Sequence, residues 1–187
     1  RYSISCHPDM NNLLPFHWAG YDLHVRYTYI LHNLSDMEKV WAGYDSNIRT
    51  DIRKANKQVA IRNDLSLDTF LDIYEKTFLR QGQTLPLSRD FYYRVEEALK
   101  HREQRRMFFA VDAQERIHAA IYIVWDRQRA YYLMGGGDPV LRSSGASSLL
   151  LNSAIEFCST VTTSFDFEGS MIEPIERFFR AFGGVQT

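Results

Sequence analysis

The chain has 187 residues, enough for one large domain or for one domain with a remnant of another. Apolar residues make up 45% and aromatics 14%, ample for a buried core. The formal net charge of −1 excludes the globally basic signature of a nucleic-acid binder and argues against a DNA partner, so any polyanion site has to be a local patch. Cys6 and Cys158 lie far apart and outside any CxxC arrangement, which points to a reducing, cytoplasmic setting rather than a disulfide framework. The six histidines show no HxxxH or HExxH spacing, so no metal is expected. No apolar run reaches the roughly 20 residues of a membrane span. The start does not read as a signal peptide, and opening on Arg1 instead of Met points to a piece of a longer protein.

In chain order, Tyr21–Leu31 alternates, with Leu23, Val25, Tyr27 and Tyr29 on one side, and reads as a strand. Ser35-Asp36-Met37-Glu38 has the form of a capping box, and Met37, Val40, Trp41, Tyr44, Ile48, Ile52 and Ala55 continue it as one amphipathic helix. Arg49, Arg53 and Lys57 recur four apart on another face of that helix. A short strand is expected at Gln58–Ile61. Two helices follow, Leu67–Gln81 capped by Ser66 and Phe91–His101 capped by Ser88. Arg106–Asp112, Ile117–Trp125 and Ala130–Met134 are apolar strands joined by short turns. Gly135-Gly136-Gly137-Asp138-Pro139 is expected to break regular structure. A helix from Ser144 to about Ser159, a strand Ser164–Phe167 and a helix Glu173–Phe182 with Pro174 in its first turn complete the chain.

From residue 58 this order, β-α-α-β-β-β-α-β-α, resembles the GNAT N-acyltransferase fold through its last helix. The resemblance implies an α+β domain with a mixed, mostly antiparallel sheet flanked by helices. The final two strands of that fold are then missing, or another segment supplies them. Pro15-Phe16-His17-Trp18-Ala19-Gly20-Tyr21, Arg26-Tyr27-Thr28-Tyr29, Asn47-Ile48-Arg49, Ile52–Lys57, Phe165–Ser170 and Phe178–Gly183 are similar to segments of the Fem branch. That branch contains peptidoglycan-bridge aminoacyltransferases, the methicillin-resistance-protein-like group, with two GNAT-like domains in tandem. Residues 1–57 would then close a first domain, and 58–187 would be most of a second.

Within that resemblance, Arg142-Ser143-Ser144-Gly145-Ala146-Ser147 stands where GNAT proteins hold donor phosphates. Backbone N–H groups at a helix N-terminus suit anions, although Ser and Gly there are also simply a good helix start. Arg142, Ser144, Gly145 and Ala146 are the donor-binding candidates, with Gly135 and Gly136 beside them. Asp166 and Glu168 alternate with Phe165 and Phe167, so the carboxylates would face a cleft while the rings face the core. Either acid could deprotonate or hold an amine, or both could merely solvate a strand end. Tyr132 could reach the cleft or pack in the core. The last helix has no Tyr, so Phe178, Phe179 and Phe182 read as core. Phe179 stands where Fem proteins carry a Lys, leaving Arg177 or Arg180 as a substitute charge. Arg49, Arg53, Lys57 and Arg180 are the substrate-binding candidates, alternatively a solvated helix face. The reading is an N-acyltransferase acting from an acyl-CoA (acetyl-CoA among them) or an aminoacyl-tRNA onto an amine, either a small molecule or a cell-wall precursor at a membrane surface. The alternative is a non-catalytic GNAT-like binding module.

Overall fold

The computed structural model describes residues 4–7 and 10–187. Its elements in chain order are α1 (Leu14–Trp18), β1 (Tyr29–Leu31), α2 (Met37–Gly43), α3 (Ser46–Ala55), β2 (Val59–Arg62), α4 (Leu67–Leu79), α5 (Arg89–Lys100), β3 (Arg105–Asp112), β4 (Ile117–Trp125), β5 (Arg129–Gly137), α6 (Ala146–Cys158), β6 (Ser164–Asp166), α7 (Glu173–Arg180) and β7 (Val185–Gln186). The strands form one sheet in the order β2-β3-β4-β5-β6-β1-β7. Every neighbouring pair is antiparallel except β5 and β6, which run parallel. No helix among the described residues is long and apolar enough to cross a membrane.

Alternation along β3 and β4 divides the core between two faces. Phe108, Ala110, Ala119, Ile121 and Ile123 meet α6 and α3 through Leu150, Ile155, Ile48 and Ile52. Met107, Phe109, Ala120 and Tyr122 meet α4 and α5 through Phe70, Leu71 and Tyr92. The two helices on that second face start where Ser66 and Ser88 accept the N–H groups of Thr69 and Phe91, at 3.2 and 3.3 Å. Asp112 closes the β3–β4 hairpin. Its carboxylate accepts the N–H groups of Gln114 (2.9 Å) and Arg116 (3.0 Å) and pairs with His118 at 3.0 Å.

Several expectations are corrected. The strand read over Tyr21–Leu31 is regular only from Tyr29, where β6 and β7 supply partners. The single long helix is two, parted at Tyr44 and Asp45. Asp36, not Ser35, caps the first, accepting Lys39 N at 3.0 Å. Ser35 instead turns on Asn33, which accepts from its N–H and its hydroxyl. Gly135–Gly137 continue β5 in register with β4, because a glycine pairs as well as any residue when its neighbours hold it. Across residue 57, Ile48, Ile52 and Ala55 share one cluster with Leu149, Leu150 and Phe165. Beyond β6 the sheet is continued by β1, from an earlier segment of the chain, and then by the short β7, in keeping with the alternative that another segment supplies strands there.

Candidate active site

The sheet opens where β5 and β6 part. They pair only from Arg129–Ser164 to Tyr131–Asp166. Beyond that, β5 runs on to Gly137 while β6 ends. From Tyr132 to Gly137 the edge of β5 facing away from β4 therefore has no strand partner. A register shift adds Leu133 opposite the β4 pair Tyr122 and Ile123, a bulge of the kind that re-aims backbone groups.

The three glycines sit where this strand is most crowded. A Cβ on Gly136 would lie 2.8 Å from Tyr74 Cα and 2.8 Å from Thr77 Oγ1, so α4 packs directly on the strand. Thr77 Oγ1 also accepts the Gly137 N–H at 3.2 Å. A Cβ on Gly135 would lie 1.9 Å from the Tyr132 hydroxyl. The Tyr132 ring packs edge-on to Phe179 at 5.4 Å. Burial, then the neighbouring Tyr74, pushes its phenol well above the usual range, so it keeps its proton at neutral pH.

Asp166 and Glu168 have different surroundings, although the sequence treats them as a pair. Phe165 and Phe167 do face the core. Asp166, however, is only 2% exposed. It accepts Thr28 Oγ1 at 2.5 Å and the Glu168 N–H at 2.8 Å, and pairs with Arg129 at 3.5 Å. Its lone pairs are committed to the fold, and its expected free exposure to a cleft is corrected. Glu168 is exposed, and its backbone is left-handed at φ 57°, a conformation that costs a non-glycine residue. The protein packed around it, then the Asp166 charge, raise its carboxyl above the ordinary glutamate range. Arg26, Arg129 and His7 act the other way. Arg129 Nη1 also meets His7 Nε2 at 3.3 Å. Arg129, Thr28 and His7 escaped sequence reasoning, since no spacing links them to residue 166. A buried acid between two core phenylalanines was the one available signal that a cation had to be near.

At the far end of β5 a short 3-10 turn, Arg142–Ser144, leads through Gly145 (φ 80°) into α6. Gly145 is needed for a reason other than ligand approach: a Cβ there would lie 2.5 Å from Asp51 O of α3. Lys54 Nζ adds a 2.5 Å bond to Ser143 O. Ser144 and Ala146 are buried, and the Ala146 N–H is taken by Ser144 Oγ at 3.3 Å. Arg142, Ser143 and Ser147 remain exposed.

The remaining candidates are not gathered at the opening. Arg49 donates to the carbonyls of Ala42 (3.3 Å) and Tyr44 and so closes the C-terminus of α2. Arg53 lies over the Trp41 ring at 5.8 Å, and Lys57 is exposed beyond it. Arg177 and Arg180 pair along α7 with Glu173 and Glu176. Phe179 and Phe182 are core, as read.

The sequence model of the acetyltransferase (GNAT) domain family matches residues 43–171, more than two-thirds of the chain. No curated protein matches it. Among solved structures the chain is similar to FemX, at TM-score 0.76 and 11% identity over 88% of this chain and 60% of that one. It is also similar to a conserved protein of unknown function from Bacteroides thetaiotaomicron, at TM-score 0.60 and 13% identity over 86% and 56%. A third is the C-terminal DUF2156 domain of an Agrobacterium fabrum protein assigned as a lysylphosphatidylglycerol synthetase, at TM-score 0.62 and 11% identity over 93% and 61%. At these identities the likeness is one of fold, and the chain spans about 60% of FemX's length.

Proposed function

Because the chain belongs to the acetyltransferase (GNAT) domain family, we propose that it transfers an acyl group from a thioester carrier to an amine at the opening between β5 and β6. The observation that carries this reading is the edge of β5 left unpaired where β6 ends, with the exposed carboxylate of Glu168 two residues beyond the last pair. An extended carrier arm can add to a free strand edge as another strand would. Edge N–H groups near the Leu133 bulge are placed to polarise a thioester carbonyl. Exposed Arg142, Ser143 and Ser147, with the Ser147 N–H at the start of α6, suit the phosphates of coenzyme A.

The incoming ammonium gives a proton to Glu168, a stronger base than an ordinary surface glutamate because its carboxyl is held high. The amine nitrogen bonds to the carbonyl carbon, the C–S bond breaks, and the acylated nitrogen gives up its second proton to solvent. The thiolate leaves with the bonding pair, steadied by a hydrogen bond from the still-protonated Tyr132, and takes its proton from solvent. Asp166 takes no proton in this scheme. It is a positioning residue that holds the Glu168 backbone through its N–H.

Acyl-CoA is favoured over aminoacyl-tRNA by the engagement of the cations a polynucleotide would need. Arg49 closes α2, and Arg177 and Arg180 pair within α7. The acceptor class is a primary amine, with amine-bearing cell-wall precursors included. The test presents labelled acetyl-CoA and labelled aminoacyl-tRNA side by side to a panel of small amines and peptidoglycan precursors, and follows thermal stability with free coenzyme A. Transfer from acetyl-CoA, with coenzyme A raising Tm, is expected. Transfer from tRNA alone would replace the donor, and protection without any transfer would identify a binding module.

A further inference from the structure

A cavity of about 280 Å³ lies between α2 and α6. Met37, Glu38, Trp41, Asn152 and Glu156 line it, and none of them belongs to β5, β6 or the loop at Arg142. Asn152 and Glu156 follow Ala146, the first residue of α6, by about 9 and 15 Å along the helix axis. The cavity is therefore separate from the opening and from the donor loop.

Its lining has the chemistry of a cation site. Glu38 and Glu156 are exposed, and no Lys, Arg or His among the described residues pairs with either. Two carboxylates on one hollow repel each other until a cation answers them. Asn152 is only 6% exposed. Its Nδ2 donates to Glu156 Oε1 at 2.8 Å, which orients the amide and leaves its Oδ1 without a donor among the described residues. A buried amide carbonyl on a cavity wall wants an N–H or O–H from whatever fills the cavity. Just behind the lining, Tyr44 packs on Trp41 at 5.6 Å, its hydroxyl buried and without a partner among the described residues. Burial, then the Glu156 charge, push that phenol well above the usual range. Arg53 lies over the Trp41 ring at 5.8 Å yet pairs with neither acid. The ring thus suits a cation, and both carboxylates stay unanswered.

We propose that this cavity binds a small alkylammonium ion, its N–H groups donating to Glu38, Glu156 and Asn152 Oδ1 and its alkyl chain lying on Trp41 and Met37. Three acceptors match the three donors of a primary ammonium, whereas a quaternary ammonium has no N–H to give. A divalent metal wants six or more oxygen ligands, and no cluster of three or more His, Cys, Asp or Glu able to hold one occurs among the described residues. The same two acids repel an anion. Bound there, the ion ties α2 to α6, the helix that begins at the donor loop.

The test is isothermal titration calorimetry of the 187-residue chain with n-butylammonium chloride, beside n-butanol as the neutral probe of the same shape. Saturable binding of butylammonium and none of butanol is expected. Glu38→Gln/Glu156→Gln should weaken it by about tenfold or more. Both acids are exposed, so circular dichroism should show that variant folded. Trp41→Leu keeps an apolar wall without the ring and should weaken binding by about threefold or more. Glu168→Gln should leave this binding unchanged, which separates it from an amine held at the opening. No binding to the parent overturns the proposal. So does butanol binding as well as butylammonium, affinity indifferent to the paired glutamate change, or binding lost in Glu168→Gln alone.

Discussion

Replacing Asp166 with Ala separates the two acids that the sequence treats alike. Its side chain is 3% exposed, and its partner Arg129 is 12% exposed. Removing the carboxylate strands a nearly buried guanidinium and leaves the Glu168 N–H and the Thr28 hydroxyl without their acceptor. Breaking one side of a buried pair costs about 3–5 kcal/mol. For a chain of this size that lowers Tm by about 6–20 °C. Glu168→Gly should do the reverse. It relieves a left-handed backbone at φ 57°, and a gain of up to about 1 kcal/mol is expected after glycine's added unfolded-state freedom. Urea denaturation followed by circular dichroism measures both. A loss below about 1 kcal/mol for Asp166→Ala, with turnover abolished, would refute the reasoning and make Asp166 the base.

Further expectations concern pH and packing. The Glu168 carboxyl is raised on folding, so the folded state holds its proton more tightly than the unfolded state. Its contribution is therefore most favourable at low pH and declines as pH rises from the ordinary glutamate value through the folded value. Glu168→Gln should be more stable than the parent at pH 7, the difference vanishing below about pH 4. An unchanged difference across that range would contradict the shift. Asp112 behaves oppositely: its hydrogen bond with His118 first, then Arg116 and backbone N–H groups, hold its carboxyl far below the usual range. That stability is present above about pH 4 and is lost as pH falls towards the folded value, so Asp112→Asn should flatten the acid limb of a stability-pH curve. Gly136→Ala should cost about 1–3 kcal/mol by driving a methyl against Tyr74 and Thr77. No measurable loss on denaturation would show that α4 yields freely.

Much of the fold is legible from local pattern. β4 has the bounds that its apolar run suggests, and the caps at Ser66 and Ser88 are where a serine before an acidic first turn places them. What escapes is whatever a distant partner decides. Residues 22–27 alternate like a strand but make no backbone hydrogen bond to a described residue, so regular strand begins only at Tyr29. The helix read through Tyr44 is broken because Asp45 N–H is drawn to Ala181 O at 2.8 Å and Arg49 folds back on the carbonyls before it. The sequence points to the parts separately: the loop at Arg142 follows the far end of β5, and Asp166 ends β6 opposite Tyr131 near the start of β5. The division of labour between the two acids was not legible. Period-two alternation assigns Asp166 and Glu168 to one side of a strand, but the strand ends at Asp166, and Arg129 and Thr28 claim that residue for the fold.

The claim that Glu168 is the base is tested most directly by single-turnover acyl transfer in Glu168→Gln beside the parent, with coenzyme A affinity measured on both. The amide keeps the side chain's shape but cannot take the proton. Transfer slowed by about 100-fold or more, with coenzyme A affinity unchanged and the parent rate rising with pH as Glu168 ionises, is the predicted result. A Glu168→Gln variant that transfers as fast as the parent would contradict it.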